Sequence, residues 1–322
     1  MRAEVLRSLT PEWSWDWIDT DSAIIESARI WQSAAYRLKW GPATRRLNAL
    51  VAARVGVPYE LIWVDKAVFL WPETVAMLRR AAERLIHYTP DAAFHTGNSR
   101  FFEQTMETYD LLVTTKAFEV DEYAGRAGKE SVLLTTQGFD SRVHYPRNGP
   151  ELRQKEVVFV GLAESDRMDC VETLLKHDIP VRVFGLGWRR FLRRFGDHPS
   201  LSFGGEGVFG EEYAAALSRS WIGLGLLSKR FPELHTTRTF EIPACGALLA
   251  TERTSDTVRF FSDDEALFFD SHDELADKVS SMLAAGSSML MPAAERGRSR
   301  VQADKRDYES ILAGVMQRAG LL

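Results

Sequence analysis

The strongest constraint on the fold is a regular alternation, along all 322 residues, of short apolar runs with stretches of helical pattern. Runs that are apolar throughout are typical of strands covered on both faces, and strands separated by helices form parallel sheets. The alternation therefore predicts an α/β protein. The predicted strands are residues 13–18, 61–65, 85–88, 111–115, 132–136, 157–161, 181–184, 201–203, 221–226, 247–251 and 267–269.

One break interrupts this alternation. Residues 144–154, HYPRNGPELRQ, combine two prolines and a glycine with charged side chains, and a fresh strand follows. The chain is also longer than one ordinary domain of about 100–200 residues. We therefore predict two Rossmann-like domains, residues 1–147 and 148–322, whose parallel sheets face one another across a cleft. A long helical segment over residues 291–320 is expected to cross back to the first domain.

Composition excludes several classes of protein. Hydrophobic residues make up 45% and charged residues 26% of the chain, which is unlike a disordered or collagen-like protein. No apolar run approaches the roughly 18 residues of a membrane-spanning helix, and the first residues lack the apolar core of a secretory signal. Cys170 and Cys245 are too few for a disulfide framework or a zinc site, so a reducing cytoplasm is expected. The net charge of −5 makes nucleic acid an unexpected partner.

The most informative stretch is residues 233–251, ELHTTRTFEIPACGALLAT. Thr236 and Thr237 are good N-cap residues for a helix that ends before Gly246, and a buried strand follows. The unpaired amides and partial positive charge of a helix N-terminus attract phosphate. The stretch therefore predicts a phosphate site.

Charged side chains in the same stretch suit a nucleotide. Arg238 in the first turn opposes the helix dipole, but it is well placed beside a bound diphosphate. Glu241, one turn further on, is able to accept hydrogen bonds from a ribose diol. Glu233 and Glu241 are separated by seven residues.

Residues 238–246, RTFEIPACG, resemble the signature of CgeB/YkvP-like glycosyltransferases, a branch of the GT-B, family-4-like group. The E-x7-E spacing of Glu233 and Glu241 resembles the donor motif of that wider group. Upstream resemblances follow in the expected order at residues 63–66, 87–91, 109–116 and 137–140, so the resemblance covers most of residues 60–285.

The resemblance implies a metal-independent hexosyltransferase that uses a UDP- or GDP-sugar, needs no cofactor and transfers the sugar with retention. The donor binds mainly to the C-terminal domain and the acceptor to the N-terminal one. The acceptor is a polysaccharide, a protein, a lipid-linked glycan or a small metabolite. The residues that the resemblance assigns to the donor are Glu241 for the ribose, Glu233 for the sugar, and Thr236, Thr237, Arg238, Lys229, Gly161 and Arg167 for the diphosphate.

Candidate catalytic and acceptor residues stand near the ends of predicted strands in the first half, where open α/β sheets place ligands. His87 is a candidate base or sugar contact, with Asp91 as a second candidate and a backbone-bonded histidine as the alternative. Asp65 and Lys66 either line an acceptor pocket or form an ion pair that caps the next helix, and we favour the ion pair. Gln137 is expected beside the cleft.

One departure from the family pattern concerns the beginning of the chain. The family usually starts with a strand and a glycine-containing loop, whereas residues 1–9 already predict a helix. This departure makes a degenerate GT-B protein, acting as a binding or scaffold module, an alternative hypothesis.

A second motif suggests a different class of protein. Residues 205–210 match G-x-G-x-x-G, the fingerprint of a nucleotide-dependent oxidoreductase. The strand before it is short, the motif lies in the middle of a domain, and no acidic residue ends a strand about 20 residues later. We therefore keep this function only as a minor alternative.

Two groups of aromatic residues complete the sequence signals. Residues 188–195, WRRFLRRF, predict either weak membrane-surface contact through Arg189, Arg190, Arg193 and Arg194, or a solvated helix face with the rings turned inward, which we favour. Seven of the nine tryptophans fall within the first 71 residues. Those at positions 13, 15 and 17 are expected to share one strand face, as core packing or as a platform for a sugar-bearing acceptor.

Overall fold

A computed structural model describes residues 1–66, 68–95, 98–147 and 149–322, and it confirms the α/β class. The helices are α1 (Arg2–Leu9), α2 (Thr20–Ile25), α3 (Arg29–Leu38), α4 (Pro42–Arg54), α5 (Pro72–Ala81), α6 (Arg100–Thr105), α7 (Val120–Ala127), α8 (Ser165–Lys176), α9 (Arg189–Phe195), α10 (Gly210–Arg219), α11 (Arg238–Ala244), α12 (Thr257–Phe260), α13 (His272–Ala285), α14 (Ser287–Ala303) and α15 (Tyr308–Arg318). The strands are β1 (Tyr59–Asp65), β2 (Ala82–Thr89), β3 (Leu111–Thr114), β4 (Val132–Leu134), β5 (Gln154–Val160), β6 (Val181–Phe184), β7 (Leu201–Phe203), β8 (Ser220–Leu224), β9 (Leu248–Glu252) and β10 (Leu267–Phe269). Short 3-10 helices lie at Met106–Thr108, Ala117–Glu119, Lys129–Ser131 and Pro150–Leu152.

The chain forms two compact units. The first comprises residues 1–136 together with residues 311–322, and the second comprises residues 137–310. The division falls just after β4, ahead of the predicted break at residue 147. The single long helix expected over residues 291–320 is wrong, because α14 and α15 are separate helices. Lys305 between them has a φ of 54°, which is outside the range of a right-handed helix.

The sheet of the second unit has six parallel strands in the order β10-β9-β8-β5-β6-β7. Numbered within the unit, this order is 6-5-4-1-2-3, which is the Rossmann arrangement. The direction of winding reverses between β5 and β8. In such sheets, ligands bind outside the carboxyl ends of the strands at that reversal, so the topology indicates where a site in this unit should be sought.

Both faces of this sheet are covered. Val157 and Phe159 of β5 lie in one hydrophobic cluster, whereas Val158 between them lies in another. The same alternation separates Leu248 from Leu249 in β9. Because successive side chains of a strand point to opposite faces, the two clusters are the two layers on either side of the sheet. This burial explains why the strands are apolar throughout.

The first unit has a four-stranded parallel sheet in the order β1-β2-β3-β4. Its core contains Leu85 of β2 and Leu112 of β3, together with Leu47 of α4 and Leu78 of α5. In the described part of the chain, the residues that precede β1 form helices and loops.

The predicted strand over residues 13–18 is wrong. The segment is irregular, and the indole rings of Trp13 and Trp15 stack with their centroids 6.0 Å apart. Nε1 of Trp15 donates a hydrogen bond to the Thr10 hydroxyl at 3.0 Å. Alternation of tryptophans alone cannot make a strand, since a strand needs a neighbour for its backbone hydrogen bonds. The other predicted strands overlap observed ones.

Candidate functional site

Three loops meet closely where β5, β6 and β7 end. The amide of Gly161, after β5, donates to Phe184 O at 2.9 Å, and the amide of Gly185, after β6, donates to Gly205 O at 2.9 Å. Gly161 O accepts a hydrogen bond from Nε1 of Trp188 at 3.0 Å. These bonds hold the backbone of Gly161, a predicted diphosphate contact, at the carboxyl edge of the sheet.

Two arginines meet beside the reversal of the sheet, and we call them the arginine pair. Nη2 of Arg238 donates to Leu226 O at 2.9 Å, and Nη2 of Arg167 lies 3.5 Å from the same oxygen. Both guanidinium groups lie over the ring of Phe159, at 5.6 and 5.7 Å from its centroid. The structure therefore brings together two side chains that the sequence assigned to one diphosphate.

The arginine pair is electrostatically strained. Burial, together with the nearby charge of Arg238, lowers the pKa of the Arg167 guanidinium. Glu164, 3.2 Å from Arg167, offsets part of this cost. The Nε atoms of both arginines are buried without a hydrogen-bond partner in the described part of the chain. Adjacent cations with unused donors, here the buried Arg167 and the half-buried Arg238, suit an anion that accepts several hydrogen bonds at once, such as a diphosphate.

Lys229 and Glu233 lie on the loop that follows β8. Nζ of Lys229 pairs with Glu252 at 3.2 Å, and the Glu233 carboxylate accepts a hydrogen bond from the amide of Ser228 at 3.2 Å. The hydroxyl of Ser228 donates to Glu164 at 2.9 Å. The loop is thus tied to the ends of β5 and β9 by carboxylates.

Sequence reasoning missed Glu164, Ser228 and Glu252. A signal was available, because each follows or ends a strand of a Rossmann-like sheet, where ligands bind. Among the described residues, no group of three or more His, Cys, Asp or Glu side chains is placed to hold a metal ion.

The start of α11 differs from the expected one. Thr237 occupies the N-cap position, but its side chain makes no capping hydrogen bond. The amide of Thr236 donates to the Thr239 hydroxyl at 3.1 Å, so this amide is already engaged. The predicted end of α11 is confirmed, since Gly246 follows the helix with a φ of +81°.

Glu241 lies in α11 and is held by two side chains from distant parts of the chain. The Tyr213 hydroxyl donates to one carboxylate oxygen at 2.7 Å, and Nε2 of His144 lies 3.9 Å from the other. The amide of Asp140 donates to Nδ1 of His144 at 3.0 Å, so the neutral imidazole carries its proton on Nε2, towards Glu241. Burial, and then the charge of Glu241, raise the pKa of Tyr213 well above its usual range. Sequence reasoning missed Tyr213 and His144.

In the first unit, Asp65 and Lys66 both form ion pairs. Asp65 accepts a bidentate pair of hydrogen bonds from Arg2, at 2.7 and 3.0 Å. Lys66 pairs with Asp91 at 2.7 Å. The structure thus places three predicted site residues near the ends of β1 and β2. Their ion pairs join Asp65 to Arg2 and Lys66 to Asp91, and are not the helix-capping pair that the sequence favoured.

Gln137 lies in the second unit and is buried. The backbone amide of Gln137 donates a hydrogen bond to Nε2 of His235 at 3.4 Å. Nδ1 of His235 lies 2.8 Å from a carboxylate oxygen of Asp256. This hydrogen bond lowers the pKa of Asp256. The environment of Gln137 is therefore a buried polar network, and the structure does not place it at an open surface.

His87 does not lie where the sequence placed it. β2 continues to Thr89, and His87 is 2% exposed, stacked on Phe102 at 4.3 Å and edge-on to Tyr109 at 5.5 Å between ring centroids. Burial lowers its pKa to about 3. A substrate cannot reach this imidazole without displacing the two rings, so the position is that of a core side chain.

This environment predicts a pH-dependent stability. The unfolded chain binds a proton at His87 below a pH of about 6.5, whereas the folded protein does not until about pH 3. The contribution of His87 to the unfolding free energy is therefore fully present above about pH 6.5. It falls as the pH drops, by roughly 2 kcal/mol at pH 5. His87→Leu should lose less stability than the wild type between pH 7 and pH 5 in urea denaturation. His177→Leu, at an exposed position, should respond to pH as the wild type does, and an identical response of His87→Leu would contradict the prediction.

The basic helix α9 matches the solvated-face interpretation. Trp188 and Phe191 are buried, whereas the four arginines at positions 189, 190, 193 and 194 are exposed. Arg189 pairs with Glu206 at 3.3 Å and Arg194 pairs with Glu172 at 3.2 Å. Their contact with a membrane surface stays a prediction.

Similarity to known proteins identifies the fold of the chain. Residues 167–316 match the family model described as glycosyl transferase-like. Similar solved structures include sucrose-phosphate synthase from Thermosynechococcus elongatus, with 14% identity over 88% of this chain and 78% of that one, and a TM-score of 0.61. The apo structure of OtsA has 13% identity over 93% of this chain and 84% of that one, and a TM-score of 0.62. The chain has the GT-B fold.

A third similar structure is Anabaena Alr3699/HepE in complex with UDP and glucose. It has 12% identity over 88% of this chain and 83% of that one, and a TM-score of 0.61. No curated relative matches the sequence. The matched residues 167–316 include the arginine pair and α11. The assignment to the CgeB/YkvP-like branch stays a prediction.

The topology of this GT-B chain also places the G-x-G-x-x-G motif. Residues 205–210 follow β7, which is the edge strand of the six-stranded sheet. A dinucleotide fingerprint belongs instead to the turn after the first strand of such a sheet, and here that strand is β5.

Proposed function

We propose that this protein is a glycosyltransferase that moves a sugar from a nucleoside-diphosphate sugar, preferably a UDP-sugar, to an acceptor hydroxyl. The arginine pair at the reversal of the sheet carries the proposal, because it unites buried positive charge with unused hydrogen-bond donors. The glycosyl transferase-like match of residues 167–316 supports it. So do the UDP and glucose bound in Alr3699/HepE and the UDP-glucose bound in another structure of that protein.

The chemistry needs stabilisation of the leaving group. The bond between the anomeric carbon and a diphosphate oxygen breaks, a bond to the acceptor oxygen forms, and the hydroxyl proton passes to the departing diphosphate. Negative charge then develops on the diphosphate, and Arg167 and Arg238 stabilise it in place because they are fixed before the reaction. We propose that these charges let transfer proceed without a metal ion. Retention of configuration is proposed from the sequence resemblance.

The remaining donor contacts follow from the same site. Glu241, oriented by Tyr213 and His144, accepts hydrogen bonds from the ribose diol. Glu233, on the loop after β8, faces the transferred hexose, and Lys229 on the same loop contacts the diphosphate. Because Glu233 and Lys229 bond to neighbouring residues here, donor binding exchanges these contacts for contacts to the sugar and the diphosphate.

Calorimetric titration with UDP, GDP and dTDP tests the proposal directly. We expect UDP to bind most tightly, and a panel of UDP-sugars incubated with candidate acceptors to give turnover for at least one donor. Absence of binding by all three nucleotides, with the fold intact by circular dichroism, would contradict it. Binding without transfer or hydrolysis of any donor would favour a binding or scaffold module instead.

A substitution at Glu241 tests its proposed role. Glu241→Gln keeps an oxygen for the Tyr213 hydroxyl but replaces a charged acceptor of the ribose diol with a neutral amide. We expect UDP affinity to fall about tenfold and the affinity for 2′-deoxy-UDP to change little, since a hydrogen bond to a charged group contributes roughly 1.5–3 kcal/mol. Calorimetry measures both constants. Glu212→Gln, at an exposed position of α10, is the control, and equal losses for the two nucleotides would exclude a ribose contact.

A further inference from the structure

Helix α3 is amphipathic, but its apolar face points away from the protein. Ile30, Trp31, Ala34 and Leu38 share one face at helical spacing. Ile30 is 69% exposed, Trp31 43% and Leu38 64%, whereas Ala35 is the buried residue of this helix. A surface helix normally turns its apolar face towards the core. In the described part of the chain, nothing covers this face.

More exposed apolar side chains lie on the neighbouring segments. α3 packs against α2 and α4. The exposed large residues within and next to α2 and α3, which we call the apolar patch, are Trp17, Ile25, Ile30, Trp31, Tyr36, Leu38 and Trp40. An open cavity of about 650 Å³, lined in part by Trp17, Arg46 and Arg54, lies on the same group of helices. Clustered exposed aromatic and aliphatic side chains mark an interaction surface.

Helices α3 and α4 carry the opposite charge to the whole protein, whereas the segment of α2 before them is acidic, with Asp19, Asp21 and Glu26. Residues 27–59 contain six basic side chains and no acidic one, although the chain has a net charge of −5. Arg29 and Arg37 are exposed on α3, and Arg45 and Arg54 are exposed on α4. The apolar patch is therefore accompanied by positive charge, which attracts an anionic surface.

We propose that the apolar patch binds the interface of an anionic lipid bilayer, with α3 lying in the membrane plane. Tryptophan and aliphatic side chains on one side of a short helix, with arginines beside them, are the features of interfacial helices. In the part of the chain that the structure describes, no helix is long and apolar enough to cross a membrane.

The charge also favours a lipid surface over a second copy of this chain. A symmetric dimer through this face would place each basic segment against its own copy, and like charges oppose such contact. An anionic headgroup layer instead offers complementary charge, worth about 1 kcal/mol for each basic residue close to it. The proposal does not depend on the glycosyltransferase activity.

Co-sedimentation with vesicles tests the proposal. We expect the protein to bind vesicles of equal parts phosphatidylglycerol and phosphatidylcholine at low salt, and to bind pure phosphatidylcholine at least tenfold more weakly. Ile30→Ser combined with Leu38→Ser should reduce binding at least tenfold. Arg29→Gln combined with Arg37→Gln should reduce it about 30-fold, the factor for two basic residues at an anionic surface, and should flatten the dependence on salt.

A matched control distinguishes binding through the apolar patch from nonspecific adsorption of exposed apolar side chains. Phe209, in the second unit, is 83% exposed, and Phe209→Ser should leave vesicle binding unchanged. Melting temperatures of all variants should match the wild type, because the substituted side chains are exposed. Failure to bind anionic vesicles, or equal binding by the Ile30/Leu38 variant, would overturn the proposal. A dimer in analytical ultracentrifugation that this variant disrupts, without vesicle binding, would assign the patch to a second copy.

Discussion

Arg238→Met is expected to lower the affinity for UDP about 100-fold, or about 2.7 kcal/mol, while the melting temperature of the free protein stays the same or rises. Removing one member of a buried charge pair with a ligand typically costs 2–5 kcal/mol of binding. In the free protein, however, Arg238 lies beside Arg167 and disfavours its charged form. Loss of the like charge therefore offsets the lost hydrogen bond to Leu226 O. Calorimetry and thermal unfolding of the same sample measure the two effects.

A role for Arg238 in donor binding predicts a lower affinity for UDP without a lower melting temperature. Arg190→Met, at an exposed position of α9, is the matched control and should change neither quantity. Arg167→Met should weaken UDP binding similarly, but it leaves Glu164 without its cationic partner. We therefore expect lower stability for Arg167→Met than for Arg238→Met. If Arg238→Met destabilises the protein strongly and leaves UDP affinity intact, the arginine pair has a structural role and not the proposed one.

Gly185→Ala is expected to lose at least 3 kcal/mol of unfolding free energy, the largest effect on stability that we predict for one added methyl group. Gly185 has a φ of +130°, and a Cβ there would overlap the backbone carbonyl oxygen of Gly161. The strained conformation alone costs about 1–3 kcal/mol. The overlap adds to this cost, because a backbone atom at the end of β5 cannot move aside as a flexible side chain does. Urea denaturation followed by circular dichroism measures the loss.

Gly205→Ala separates the two causes. Gly205 has nearly the same φ, +127°, but a Cβ there would meet nothing within 4 Å. We expect this variant to lose only the conformational share, about 1–3 kcal/mol. Equal losses at the two positions would show that the close approach of the β6 loop to Gly161 is not a constraint. Because that approach lies at the carboxyl edge of β5, Gly185→Ala should also weaken UDP binding in whatever fraction stays folded.

Features that depend on neighbouring residues were predictable from the sequence. The edge and central strands β6, β7 and β10 occur at the predicted residues, because short apolar runs between turn signals specify strands locally. Gly246 ends α11 as expected, since a residue with positive φ is needed there. The length of the segment over residues 13–18 and its alternation were not enough, because a strand also needs a partner that only the fold supplies.

Features that depend on distant residues were not predictable. His87 looked like a strand-end ligand, but its ring is enclosed by Phe102 and Tyr109. Burial of a polar side chain is decided by what packs on it, which local pattern does not show. The exposed face of α3 has the same origin, since its pattern indicates an amphipathic helix but not the side on which the core lies.

The α/β class, the positions of the strands after residue 60, and the segment over residues 233–251 with its glycosyltransferase resemblance are evident from the amino-acid sequence. The convergence of Arg167 and Arg238 on one carbonyl oxygen, and the contact of Tyr213 with Glu241, become evident in the folded chain alone. The difference lies in the range of the interactions. Periodicity and capping act over a few residues along the chain, whereas convergence of charges is set by the strand order, which brings the ends of β5 and β8 together at the reversal of the sheet.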